Sequence, residues 1–196
     1  MHRKWCTQDV GAPFLVEFGW HQNIRLQQTI PMPINMTNAR ILHLIDLLTR
    51  LYHGDNWVAE SFEGKLSGLN ETDVFTQPVP GVHSVAEIVW HCIYWRNVTI
   101  QRLLGNNQYR EQTLEKFNFL PLDELKEKGW LTLTQQLIES QAEIISILQN
   151  KTDSFLTTIY EPHHNFDFLV EGTIQHDYYH LGQIGLVLKI LKVQTS

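Results

Sequence analysis

The chain has 196 residues, enough for one domain with a single core, and its 43% hydrophobic and 18% charged content, without a long polar tract, argues against intrinsic disorder. A formal net charge of -6 with no block of lysines or arginines leaves no electrostatic footprint for nucleic acid or an anionic membrane, so neither partner is expected. Cys6 and Cys92 sit in unlike contexts and make no disulfide framework, and no apolar run approaches a membrane span; a cytoplasmic protein is expected.

Residues 1–36 show neither helical nor strand period and run through Pro13, Pro31 and Pro33, so they read as an arm outside the domain. Met36 is the expected natural start, with the preceding stretch an upstream extension of the reading frame. The domain is expected over residues 37–193. From Thr37, Ile41, Leu44, Ile45, Leu48, Leu51 and Tyr52 recur at the three-and-four spacing of one helix face, and Gly54 marks the stop. A shorter helix is expected over Trp57 to Leu69, with Trp57, Phe62, Leu66 and Leu69 as its apolar contacts, followed by a loop through Pro78, Pro80 and Gly81.

The second long helix opens on a capping box, Ser84-Val85-Ala86-Glu87, and should run to about Leu104 with Ile88, His91, Trp95 and Val98 on one face. A long connection then passes through Pro121 to Gly129. The third helix, roughly Leu131 to Gln149, places Leu133, Leu137, Ile144 and Leu148 at helical spacing. After a turn-rich Glu161-Pro162-His163-His164-Asn165, the inward face of the last helix reads Leu169, Thr173, His176, His180, Ile184, Val187 and Leu191. No segment alternates with period two, so no sheet is expected. The fold expected is all-α: a four-helix bundle with a long crossover between its second and third helices.

Histidines interrupt the apolar stripe of the last helix. His176 and His180 are four apart, which stacks their rings on one face, close enough to grip one ion. Alone, that spacing is more often two ordinary histidines; their place on the core face changes this, because buried imidazoles need partners and a metal supplies them. His91 replaces an apolar residue on the core face of another helix, and it reads either as a third ligand or as a hydrogen-bonded core histidine. A di-iron carboxylate site is excluded, since Ile88 and Asp177 stand three before His91 and His180 where glutamates are needed.

Trp90-His91 in a helix opened by His83-Ser84-Val85-Ala86-Glu87, together with His176-Asp177-Tyr178-Tyr179-His180-Leu181-Gly182-Gln183-Ile184, resembles the DinB/YfiT-like family of metal-binding four-helix bundles. Leu51-Tyr52-His53-Gly54-Asp55-Asn56-Trp57 and Pro80-Gly81-Val82-His83-Ser84 are also similar to it, and the likeness covers Met36 to about Lys192. The resemblance implies a divalent ion, zinc or nickel, on His91, His176 and His180. Some relatives are transferases or isomerases acting with low-molecular-weight thiols and many have no known activity, so the resemblance fixes the site better than the reaction; it also suggests a homodimer.

Three protein ligands leave a coordination position open, the mark of a catalytic site, where a thiol or a water becomes a nucleophile near neutral pH. The expectation is therefore a metal-dependent enzyme of thiol S-transferase or hydrolase type acting on a small molecule, with Trp95, Tyr179 and Gln183 lining its pocket. The alternatives are a non-catalytic bundle in which the ion is structural, and a bundle without metal. Glu87 is read as a cap, not a fourth ligand; Asp177 as a solvated residue turned away from the histidine face; His163 and His164 as loop histidines; and Cys92 as a buried thiol.

Overall fold

The protein is described here by a computed structural model covering residues 38–194, apart from the side chains of residues 111, 112 and 115. The expectations for residues 1–36, including a start at Met36, lie outside the described residues.

The described chain is mostly helical. Helix α1 (Ala39–His53) buries Ile41, Leu44, Leu48 and Leu51 on one face, as its apolar spacing requires, and ends at Gly54, whose φ of 108° suits a residue without a Cβ. The expected Trp57-to-Leu69 helix shrinks to α2 (Phe62–Leu66), capped by the Ser61 hydroxyl, which accepts from the Gly64 amide. The reason lies just upstream. Asp55 and Ala59 adopt positive φ, and the Asn56 side chain donates to the carbonyls of Arg50 and Glu60, which locks this stretch as a loop. Trp57 is consequently 98% exposed and contributes nothing to the core.

After α3 (Glu71–Val74), capped by Asn70, helix α4 (Val85–Leu103) begins where the capping box predicts: the Ser84 amide donates to Glu87 and the Glu87 amide to the Ser84 hydroxyl. The connection beyond it is largely helical, which the sequence reading missed: α5 (Tyr109–Phe117) and α6 (Leu122–Lys128) occupy it. Helix α6 carries its own signals, with Pro121 at its start, Asp123 and Glu124 in the first turn and Lys126 and Lys128 in the last, matching the helix dipole.

Helix α7 (Trp130–Gln149) buries Leu133, Leu137, Ile144 and Leu148 completely. A short α8 (Asp153–Leu156) leads to a two-stranded antiparallel sheet, β1 (Ile159–Glu161) pairing with β2 (His164–Asn165), a correction to the expectation of no sheet. Its strands are too short to show a period, and His163 at φ 71° makes the reversal. Helix α9 (Phe166–Gln194) then closes the fold.

Helix α4 packs against both α7 and α9, and α1 packs against the same two. Between them lie two apolar clusters. One is built on Phe62, Val89, Leu133, Leu137 and Ile184, the other on Leu44, Leu48, Ile144, Leu148 and Val170. Among the described residues no helix is long and apolar enough to cross a membrane.

Candidate metal centre

Helix α4 brings His91, and helix α9 brings His176 and His180, to one point. The Nε2 atom of His176 lies 3.1 Å from the Nε2 atoms of both His91 and His180. One ligating nitrogen from each of the three rings falls within 4.8 Å of the others. Corners of a zinc tetrahedron with nitrogens at about 2.05 Å stand roughly 3.3 Å apart, so the donor set needs little adjustment.

The outer nitrogens show why an ion fits. His91 Nδ1 is 3.3 Å from the backbone oxygen of Asn118, which can only accept, so the proton sits on Nδ1 and Nε2 presents a lone pair. His180 Nδ1 donates likewise to the Gln183 side-chain oxygen at 2.7 Å, which again bares Nε2. Two lone pairs therefore converge on the Nε2 of His176, where one proton could satisfy only one of them. A divalent cation satisfies all three.

Electrostatics favours the unprotonated form of His91 and His180. Burial, followed by the nearby charges of His180 and His176, lowers the His91 pKa from 6.5 to about 4. Burial and the charge of His176 also lower His180, against the opposing pull of Gln183. Neutral imidazoles at neutral pH are the metal-binding form.

Around this centre, Phe119 from the loop between α5 and α6 stacks on His91 at 4.3 Å between ring centroids and on His83 at 4.1 Å. Two imidazoles cannot overlap one face of a phenyl ring at those distances, so they lie on opposite faces. Trp95 sits 5.7 Å from His176 and 6.2 Å from His91, ring to ring. With Tyr160, Phe168, Thr173 and Arg102 it walls a cavity of about 210 Å³ that opens on His176. The Arg102 guanidinium there is paired with Glu161 at 3.2 Å. A larger groove, about 840 Å³ and lined largely by α1 and α9, touches none of the three histidines and has no comparable donor set.

Tyr179 is exposed and its ring stands 5.0 Å from that of His180 in a T-shaped arrangement, while Gln183 is engaged with His180 itself. Glu87 is held by Ser84, Gln77 and His83; burial pushes its carboxyl up, but these donors outweigh burial and hold it below the ordinary range, consistent with a cap. Cys92 is buried and free, its thiol pushed up by burial and by the charge of Asp177. His163 lies in the hairpin turn as expected, whereas His164 belongs to strand β2 instead of a loop.

Asp177 overturns its expected solvated role. It is 0% exposed, and its Oδ2 accepts from Arg96 Nε at 2.7 Å, with Arg96 equally buried. Helix α9 is covered on more than its histidine face, so a residue one step round from His176 still points into protein. Arg96, set among the apolar residues of α4, and Asp177, set between the two histidines of α9, were the signal for this pair. The roles of Asn118 and Phe119 had no such signal, because a backbone carbonyl and a loop aromatic acquire them only through tertiary placement.

A helical protein with three convergent imidazoles held between two helices is the class that fold and site define. The chain belongs to the DinB superfamily, whose family model matches residues 56–184 and so spans all three histidines. No curated protein and no solved structure matches the chain.

Proposed function

We propose that the protein is a divalent-metal-dependent enzyme that activates a low-molecular-weight thiol or a water, of thiol S-transferase or hydrolase type, with His91, His176 and His180 as the metal ligands. The observation that carries this reading is the convergence of three Nε2 atoms, two of them bared lone pairs, beside a cavity that opens on His176. Three protein ligands leave room for an exogenous one. A zinc or nickel ion there would lower the pKa of a bound thiol or water toward neutrality.

The chain's own residues would do the rest. Asn118 and Gln183 orient His91 and His180 through their Nδ1 protons, while Trp95, Phe168 and Tyr160 offer apolar walls to a small electrophile. The fold that supports this is read as a four-helix bundle of α1, α4, α7 and α9 with a crossover between α4 and α7; the packing of α1 and α4 against both α7 and α9 favours it. Wild-type protein loaded with zinc or nickel, screened with low-molecular-weight thiols and electrophiles, is expected to turn over and His180→Ala to lose that turnover; activity surviving the substitution rejects the assignment.

A structural ion is the second reading, favoured by the burial of His91 and His180 and by the way the centre joins α4 to α9. It predicts a lower melting temperature on chelation with no turnover of any substrate.

A further inference from the structure

Of the three imidazoles, only His176 lacks an acceptor for its outer nitrogen. Its Nδ1 is a buried atom with no hydrogen-bond partner, and it faces the Oδ1 of Asp177, another buried atom without a partner, across 3.7 Å. The other carboxylate oxygen is fixed by Arg96, whose Nη1 donates to the Leu137 carbonyl on α7 at 2.8 Å and whose guanidinium lies over the Phe62 ring. As a core contact alone, such a pair is an expensive choice, because apolar residues of the same volume would stabilise the core as well or better. An apolar pair could not present an acceptor to His176.

We propose that Asp177 is a positioning residue for the metal centre, its Oδ1 taking the Nδ1 proton of His176 so that Nε2 is the ligating nitrogen, with Arg96 holding the carboxylate in register. This rests on the metal reading above and completes a pattern, since each ligand would then have a fixed outer acceptor: Asn118, Gln183 and Asp177. The proposal requires the 3.7 Å separation to close to hydrogen-bond length when the ion binds, and Arg96 ties the carboxylate to α7, which holds none of the three ligands. The carboxylate is paired with the Arg96 guanidinium at 2.7 Å, and both side chains are fully buried.

The test is zinc affinity, measured by competition with a chromophoric chelator on the full chain. Asp177→Asn and the double variant Arg96→Met/Asp177→Leu, which refills the site with apolar volume, are both expected to bind zinc 10- to 100-fold more weakly. The double variant should keep the helicity and melting temperature of the metal-free wild type. A folded variant with wild-type zinc affinity overturns the proposal while leaving the metal reading standing; a wild type that binds no zinc overturns both. A measurement independent of variant folding is the ¹⁵N spectrum of the zinc-loaded wild type. A proton on His176 Nδ1 supports the assignment, and one on Nε2 refutes it.

Discussion

Acidifying the metal-free protein should cost stability through His91, and the size follows from its surroundings. The folded pKa of about 4 lies below the ordinary 6.5 because the ring is buried beside His180 and His176. The unfolded chain therefore takes up this proton more readily than the folded one. The stability gained by keeping His91 neutral is intact above pH 6.5 and is lost as the pH falls from 6.5 toward 4. At about 1.4 kcal/mol per tenfold change in proton affinity, the loss amounts to about 3 kcal/mol between pH 7 and pH 4. Urea denaturation of chelator-treated wild type and of His91→Phe, at several pH values across that interval, isolates this contribution as the difference between the two slopes. Parallel pH profiles for the two proteins would refute the reasoning.

Ser84→Ala removes the hydroxyl that accepts from the Glu87 amide and should lower stability by about 1 kcal/mol, read from the denaturation midpoint, with no effect at the end of the second helical turn where His91 lies. Leu44→Ala empties a fully buried position in the second apolar cluster and should cost about 2 to 5 kcal/mol. Zinc affinity of the folded Leu44→Ala protein should stay at the wild-type value.

Much of the fold was legible because helix periodicity and capping are local. The apolar face of α1, the Ser84 cap of α4 and the span of α7 all follow from residues within a few positions of one another. Local periodicity erred where a side chain's hydrogen bonds to nearby carbonyls decide the backbone, as at Asn56, whose side chain holds a loop where a helix from Trp57 was expected. The α5–α6 segment was passed over because its apolar stripe is weak, although its terminal charges favoured helix.

The candidate site divides the same way. By itself the sequence determined that His176 and His180 share a helix face, since that follows from 3.6 residues per turn and needs no partner. It determined too that Ser84 caps α4, and that His91 falls on one face with Ile88, Trp95 and Val98 by their spacing. Only the tertiary structure decided that the two helices approach closely enough for the three Nε2 atoms to meet, and that Asn118 and Phe119 close over His91. It also decided that Asp177, expected in solvent, lies buried against Arg96. The physical reason is common to all of these. A side chain's direction along a helix is set by local geometry, but whether that direction meets solvent, a carbonyl or an opposite charge is set by what packs across from it.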